Sequence, residues 1–260
     1  MKKFLLHLIM LSLITSGCST VSPTNTATLT VLTYNIHHGE GTDGKLDLER
    51  IARIIRSENP DLVAVQEVDQ KTERTANVDQ AAELARLTGL HHAFGKAMDY
   101  RGGAYGLVIL SRWPIKDPQV HQLPQRAGRE PRILFVAQIE SPHGKLTFAN
   151  THLDHQLEEV RLEQARALNK ILAETKSPAL LCGDFNAGPE STTMKFLSEH
   201  WLDTAGDHAA NTIPAGNPRK RIDYILAAPK NRWTTETSRV LEEPIASDHR
   251  PVLTRVTLKD

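Results

Sequence analysis

Acidic, amide and histidine side chains recur at the ends of apolar segments in this chain of 260 residues. The segment ALLCGDFNAG (179–188) places Asp184 and Asn186 directly after an apolar run, although such groups are costly to bury. The other members of this set lie at the ends of further apolar segments: Asn35, Glu67, His152, Asp223, Asp248 and His249. Hard divalent cations prefer carboxylates and water as ligands, and bound divalent ions promote attack of water on phosphate esters. The set therefore indicates metal-assisted hydrolysis of a phosphate ester.

Strands and helices alternate along the chain, and these elements must position the polar set. Apolar residues at helical spacing predict helices from Leu48 to a stop at Asn59-Pro60, over 77–90, and over 155–175. Gly89 is the expected C-cap of the second helix. Short runs of β-branched and aliphatic residues predict eight strands: 29–36, 62–68, 105–111, 132–140, 145–153, 179–185, 222–228 and 250–258. Because an α/β fold collects polar groups at its strand ends, we expect the set to share one edge.

The motifs that carry the set resemble those of the endonuclease/exonuclease/phosphatase superfamily, which includes deoxyribonucleases, neutral sphingomyelinases and inositol polyphosphate phosphatases. They follow the family's order from Tyr34 to Pro251: VLTYNIHHG, LVAVQEV, FANTHLD, ALLCGDFN, RIDYIL and IASDHRPV. The resemblance implies a four-layer α/β sandwich, in which two packed mixed β-sheets are flanked by helices. It also implies a phosphoric ester hydrolase in which water attacks in line and no covalent enzyme intermediate forms.

The resemblance assigns a single Mg²⁺ or Mn²⁺ to this site. Glu67 is expected to be its principal ligand, since a hard divalent cation is usually held by one or two carboxylates. Asn35 and Asp248 are expected to assist, and Asn35 could instead contact the phosphate. The alternative for Glu67 is a surface glutamate that follows a buried strand.

The resemblance also assigns the catalytic roles. His249 is expected to be the general base, with Asp223 fixing its tautomer, but the family's base has also been assigned to the position of Asp184. In the first case Asp184 positions the attacking water. His152 and Asn186 are expected to donate hydrogen bonds to the phosphoryl oxygens.

His37 and His38 suggest a possible zinc site next to Asn35. On an extended segment, however, adjacent side chains point to opposite faces, which disfavours chelation by both. Their role is left open.

Substrate contacts are expected from Tyr105 and from the loop 112–134, where Arg129 and Arg132 could bind phosphate. A solvated loop is the alternative. The formal net charge of zero argues against a broad nucleic-acid field and favours a small phosphate ester or a lipid headgroup. A nuclease acting on DNA is the alternative activity, whereas a non-catalytic binding protein would be expected to lack part of the set.

The N-terminus is predicted to be a lipoprotein-type signal peptide over residues 1–17. Two lysines precede a short apolar run that cannot span a bilayer, and Ser16-Gly17-Cys18 resembles a bacterial lipobox. Thr15 stands where that pattern prefers Leu, so an ordinary cleaved secretion signal is the alternative.

The remaining chain divides into a flexible tether over 18–28 and a catalytic domain over 29–260. If Cys18 carries the lipid, Cys182 is left without a disulfide partner and is expected to fill the core. We expect an exported monomer in the bacterial cell envelope, either anchored to the membrane through Cys18 or periplasmic.

Overall fold

The computed structural model describes residues 27–142 and 144–259. The helices are α1 (Leu48–Glu58), α2 (Gln80–Thr88), α3 (Glu158–Ala173) and α4 (Thr192–His200). The strands are β1 (Ala27–Asn35), β2 (Leu62–Gln70), β3 (His91–Tyr100), β4 (Gly103–Ser111), β5 (Ile115–Gln122), β6 (Ile133–Ser141), β7 (Gly144–His152), β8 (Ala179–Asp184), β9 (Leu202–Asp203), β10 (Asp223–Ala228), β11 (Trp233–Val240) and β12 (Val252–Leu258). Since β1 begins at Ala27, the last two residues assigned to the tether belong to a strand.

The strands form two sheets of six strands each. The first has the order β11-β12-β1-β2-β4-β3, and the second has the order β5-β6-β7-β8-β10-β9. Both are mixed, because β1 and β2 run parallel in the first sheet and β7 and β8 run parallel in the second. The predicted sandwich of two mixed sheets flanked by helices is confirmed.

The core between the sheets follows from alternation along the strands. Val31 of β1 faces the second sheet, whereas Leu32 faces the helices outside the first. On β8, Leu180 and Cys182 face the first sheet. Cys182 is a buried free thiol in this layer, as expected of a core residue.

The helices cover the outer faces of both sheets. Ile51 of α1 and Leu84 of α2 pack on the first sheet, and Leu168 of α3 and Leu197 of α4 pack on the second. Gly89 is the C-cap of α2 in the left-handed conformation, as the sequence predicts.

Four strands and one helix are absent from the sequence prediction, and all four strands lie at sheet edges. They are β3 and β11 in the first sheet and β5 and β9 in the second. Edge strands are solvated on one side and lack the continuous apolar run of a central strand, so β3 reads as the polar segment HHAFGKAMDY. The short helix α4 is the other missed element.

Within the ranges 27–142 and 144–259, no helix is both long and apolar enough to cross a lipid bilayer. The predicted signal peptide (1–17) lies outside these described residues.

Candidate active site

Strand ends of both sheets meet at one edge of the sandwich, where they bring the polar set together. In the second sheet, His152 at the end of β7 is the parallel partner of Asp184 at the end of β8. Asp223 at the start of β10 is the antiparallel partner of the same Asp184. In the first sheet, Asn35 ends β1 and pairs with Gln66 of the adjacent parallel strand β2, and Glu67 is the next residue of that strand. Strand register thus places residues that are far apart in sequence side by side.

Local backbone irregularities aim two of these side chains. The β2–β4 pairing shifts between Val65 and Val68, and Glu67 in this bulge has φ +58°. A bulge redirects side chains out of the regular alternation, which here turns Glu67 towards the active-site edge. Asn186, two residues after the end of β8, also has a positive φ of 50°. Non-glycine residues at positive φ are costly and concentrate at functional sites.

Gly183 allows the close approach of β8 and β7 just before Asp184. A Cβ atom at Gly183 would lie 2.0 Å from the backbone oxygen of Thr151, and its φ of +152° is one that other residues rarely adopt. Glycine at this position therefore holds Asp184 next to His152.

Asn35 is fully buried and links both sheets at the site. Its side-chain nitrogen donates to Glu67 Oε1 at 3.0 Å and to Asp184 Oδ2 at 3.1 Å. Its side-chain oxygen accepts a hydrogen bond from the His37 backbone N–H at 3.1 Å. In this arrangement Asn35 positions two carboxylates, and direct ligation of a metal by Asn35 stays a prediction.

His249 and Asp223 form a buried ion pair. His249 Nδ1 lies 2.9 Å from Asp223 Oδ2, and His249 Nε2 lies 3.7 Å from Asp184 Oδ2. Burial lowers the pKa of His249, but the charge of Asp223 and its hydrogen bond outweigh this and raise the pKa to about 10. The ring is therefore protonated at neutral pH in the metal-free protein.

Asp184 has the opposite character, because it is a buried carboxyl that resists ionisation. Burial is the main cause, and together with the charge of Asp223 it raises the pKa of Asp184 to about 7. The backbone N–H of Asn186 donates to Asp184 Oδ1 at 2.8 Å, which fixes the plane of the carboxyl group. A carboxyl with a pKa near neutrality can exchange a proton with a nearby water molecule.

His152 is a neutral imidazole in this site. Burial, with the nearby charge of Arg132, lowers the pKa of His152 well below its usual value. Its Nε2 lies 3.4 Å from Asp184 Oδ2, while its buried Nδ1 has no hydrogen-bond partner among the described residues. Leaving a buried ring nitrogen without a partner costs free energy.

These residues open into a polar cavity of about 350 Å³. Eight of the eleven predicted site residues line it: Glu67, Tyr105, Arg132, His152, Asp184, Asn186, Asp248 and His249. Asn35 and Asp223 lie directly behind and contact the lining residues Glu67 and His249. Ten of the eleven predicted site residues therefore converge.

Arg129 is the exception. Its guanidinium donates to Gln156, and Arg129 is not among the residues that line the polar cavity. Arg132, in contrast, is almost fully buried at the cavity wall, where it pairs with Glu130 at 2.8 Å. The role of Arg129 in substrate binding stays a prediction.

One wall of the polar cavity is not anticipated from the sequence. Arg74 binds the buried Asp69 at 2.6 Å, and its guanidinium lies 4.6 Å from the ring centre of Tyr100. Tyr100 ends β3, a strand that sequence patterning misses. Arg101-Gly102, with φ +43° and +80°, forms the two-residue hairpin turn between β3 and β4. Recognising this turn in the sequence would have predicted β3 and the position of Tyr100 at its end.

The expectation that His37 and His38 point apart is wrong. Their segment is not extended but forms a 3₁₀ turn (His37–Gly39), and both histidines have φ 45°. Their ring centroids lie 4.5 Å apart. One nitrogen of each ring and a carboxylate oxygen of Glu67 all lie within 4.8 Å of one another.

The donor set of the polar cavity fits a divalent cation. Burial, above all, raises the pKa of Glu67, and the negative charge of Asp248 raises it further. Two partly buried carboxylates that line the same cavity repel unless a cation lies between them. Glu67 and Asp248 would hold such an ion, with Asn35 beside them. A second group of potential ligands is Asp184, Asp223 and His249.

The sequence profile of the Endonuclease/Exonuclease/phosphatase family matches residues 32–249. This range covers most of the chain and contains every residue of the polar set, so the chain belongs to this family.

The chain is similar to several proteins over most of its length. It is 25% identical over 245 residues to the uncharacterized protein YbhP of Escherichia coli K12, and the match covers 88% of this chain and 96% of YbhP. An endonuclease/exonuclease/phosphatase from Beutenbergia cavernae DSM 12333 has a TM-score of 0.73 at 26% identity, covering 89% of this chain and 72% of that one. The mannosyl-6-phosphatase Bt3783 of Bacteroides thetaiotaomicron VPI-5482 shares the fold, with a TM-score of 0.71 at 20% identity and coverage of 88% and 99%.

Proposed function

We propose that this protein is a divalent-metal-dependent phosphoesterase that hydrolyses a phosphodiester or phosphomonoester. The observation that carries the proposal is that three carboxyl groups and two polar side chains of the predicted set line one cavity. Glu67 and Asp248 are the carboxylates proposed to bind the metal, and Asp184 is the carboxyl group proposed to position water. His152 and Asn186 are the proposed hydrogen-bond donors. Membership of a family of phosphate-ester hydrolases supports the same conclusion.

Water attacks phosphorus in line with the ester P–O bond, which breaks as the new P–O bond forms, and the alcohol leaves after its oxygen takes up a proton from solvent. Mg²⁺ or Mn²⁺ bound at Glu67 would supply positive charge to the phosphoryl oxygens. Asp184, with its plane fixed by Asn186, orients the attacking water and can accept its proton. The protonated His249, held by Asp223, places positive charge next to Asp184 and the developing phosphoryl charge. Neutral His152 can donate a further hydrogen bond to the phosphoryl group.

The substrate we propose is a small phosphate ester or a lipid headgroup. A cavity of about 350 Å³ falls within the range of volumes found for small-molecule binding sites. Arg132 in its wall supplies fixed positive charge for a phosphate, and Tyr105 and Tyr100 supply aromatic surface. Cleavage of DNA is the alternative and predicts activity on plasmid substrates with a strong dependence on salt.

We further propose that the protein acts in the bacterial cell envelope as a monomer anchored through lipid on Cys18. This proposal rests on the signal-like residues 1–17 and the lipobox-like Ser16-Gly17-Cys18. Membrane fractionation of Cys18→Ser in the full chain tests it. Unchanged membrane retention of the variant would contradict lipid anchoring.

The activity is tested with a panel of phosphomonoesters, phosphodiesters, phospholipids and plasmid DNA, after chelation and after re-addition of Mg²⁺ or Mn²⁺. Chelation should abolish hydrolysis, and each metal should restore it to a different extent. Asp184→Asn should lower kcat about 10²- to 10⁴-fold, the usual contribution of an acid–base group. Glu163→Gln, which only loosens a surface ion pair with Arg126, is the matched control. Hydrolysis that resists chelation, or full activity of Asp184→Asn, would overturn the proposal.

A further inference from the structure

We infer that His37 and His38 bind the metal through ring nitrogens beside the carboxylate of Glu67, so that the site selects a first-row transition-metal ion over Mg²⁺. The inference deepens the proposed function, because it rests on a metal being bound at Glu67. It starts from the three-residue cluster in which one nitrogen of each ring and a Glu67 oxygen lie within 4.8 Å of one another. We call this cluster the histidine–glutamate site.

The backbone holds both rings at the histidine–glutamate site. The 3₁₀ turn closes through hydrogen bonds from Gly39 N–H to the Ile36 oxygen at 2.8 Å and from Glu40 N–H to the His37 oxygen at 2.9 Å. The buried Gln80 donates to the backbone oxygen of His38 at 2.6 Å, which ties the turn to α2. Both rings are therefore held in place before a metal binds, so metal binding costs little conformational entropy.

The outer nitrogen of each ring contacts Glu40. His37 Nδ1 lies 3.2 Å from the Glu40 backbone oxygen, and His38 Nε2 lies 3.4 Å from Glu40 Oε2. Metal-ligating histidines typically donate their other ring N–H to a backbone carbonyl or a carboxylate in this way. These contacts direct His37 Nε2 and His38 Nδ1 towards the ligand role.

The remaining ring nitrogen of His38, Nδ1, is left unpaired by the part of the chain that the structure describes. His38 is 8% exposed, and its buried Nδ1 has no hydrogen-bond partner among the described residues. Leaving a buried polar atom unpaired costs free energy, which coordination of a cation would recover. Glu67 completes the set with a carboxylate turned inwards by the bulge in β2.

This donor set changes the choice of metal. Carboxylate and water suit Mg²⁺, whereas imidazole suits transition-metal ions. Two imidazoles and one carboxylate therefore favour a transition-metal ion. Mn²⁺ is the most demanding probe, because it has the lowest affinity of the first-row series and is the most like Mg²⁺ in ligand preference.

The experiment uses the purified full chain, loaded with Mn²⁺ and studied by electron spin-echo envelope modulation, which detects nitrogen bound to Mn²⁺. We expect ¹⁴N coupling from imidazole in the wild type, and loss of one coupled nitrogen in each of His37→Gln and His38→Gln. Each variant should also bind Mn²⁺ about tenfold more weakly while its Mg²⁺ affinity changes less than about threefold. His121→Gln, on the edge strand β5, should leave the coupling and both affinities unchanged.

Several outcomes would overturn the inference. One is a wild type without imidazole coupling, and another is coupling that survives in the double variant His37→Gln/His38→Gln but disappears in His249→Gln. If the His38→Gln variant unfolds, Glu40→Gln provides a second route, since loss of the carboxylate should weaken the coupling of His38 alone. Phosphoester hydrolysis is assayed in parallel: metal-dependent hydrolysis without nitrogen coupling removes this inference and leaves the proposed function, whereas hydrolysis that resists chelation removes the function itself.

Discussion

Asp184 and Asp223 are direct cross-strand partners on β8 and β10, and both carboxyl groups are buried. Two buried acids at this spacing repel each other, and His249 relieves the repulsion by contacting both. The arrangement separates their behaviour: Asp223 keeps the cation His249 in place, while the pKa of Asp184 rises to about 7 through burial and the charge of Asp223. Strand register, and not sequence proximity, creates this electrostatic unit.

The first prediction concerns Asp223→Asn, which removes the charge that sustains the pKa of His249. Burial then lowers that pKa against only the remaining charges of Asp184 and Asp248, so it should fall well below about 10. Nuclear magnetic resonance titration of labelled histidine measures this shift, and kcat should fall about 10²- to 10⁴-fold. Glu163→Gln serves as the control with an unchanged His249 titration. A His249 pKa that stays near 10 in Asp223→Asn would show that a group other than Asp223 stabilises the protonated ring.

The same pair gives a prediction for the pH dependence of stability in the metal-free protein. The folded-state pKa of His249 is raised above its unfolded value, so its stabilising contribution is complete below pH 6.5 and is lost as pH rises through 10. The difference in unfolding free energy between wild type and Asp223→Asn should therefore be largest below pH 6.5 and should shrink towards pH 10. Urea denaturation at a series of pH values measures it. A difference that grows with pH would contradict the assignment.

The sequence predicts the central strands, because each is a contiguous apolar run, and most of the site residues, because they stand in short motifs near the ends of those runs. β8 carries a continuous apolar run, and GDFN at its end carries Asp184 and Asn186. The missed features depend on tertiary context. Edge strands such as β3 need no apolar run, because one side faces solvent.

Irregular backbone geometry limits how well the sequence predicts side-chain orientation at the site itself. The positive φ values of His37 and Glu67 are unusual for residues of these types, so propensity assigns both to extended chain. That assignment gives the wrong orientation for His37 and His38. It also hides the bulge that aims Glu67 into the polar cavity, although the role of Glu67 is implied by family resemblance.

The third prediction follows from the bulge. At φ +58°, Glu67→Gly should be more stable than Glu67→Ala by about 1 kcal/mol, because glycine adopts positive φ without the Cβ penalty. Both variants lack the carboxylate, so the comparison isolates the backbone. The order should reverse for Thr234→Gly and Thr234→Ala on the edge strand β11. Equal stability of the two Glu67 variants in metal-free thermal unfolding would mean that the bulge stores no strain.

The fourth prediction concerns a buried link between the sheets beneath the site. Asn150 of β7 donates to the backbone oxygens of Val65 and Val108 at 2.9 Å each, and it accepts from Gln66 at 2.7 Å. Asn150→Leu should lower the unfolding free energy by about 2–4 kcal/mol, because it leaves buried polar atoms unpaired. The double variant Gln66→Leu/Asn150→Leu should lose less than the sum of the single variants. Strict additivity in urea denaturation would show that the two side chains do not act as a unit.

The fifth prediction separates the two arginines proposed to bind substrate. Arg132 lies buried in the wall of the polar cavity, whereas Arg129 donates to Gln156 outside it. If Arg132 binds the substrate phosphate, Arg132→Ala should raise KM at least about tenfold, which corresponds to loss of a charged hydrogen bond, with a smaller change in kcat. Arg132→Lys should recover part of the loss, because it restores the charge without the two-pronged geometry. Arg129→Ala should change KM less than about twofold, and steady-state kinetics beside thermal unfolding distinguishes binding from folding effects. A larger effect at Arg129 than at Arg132 would place the substrate phosphate outside the cavity and towards the loop 112–134.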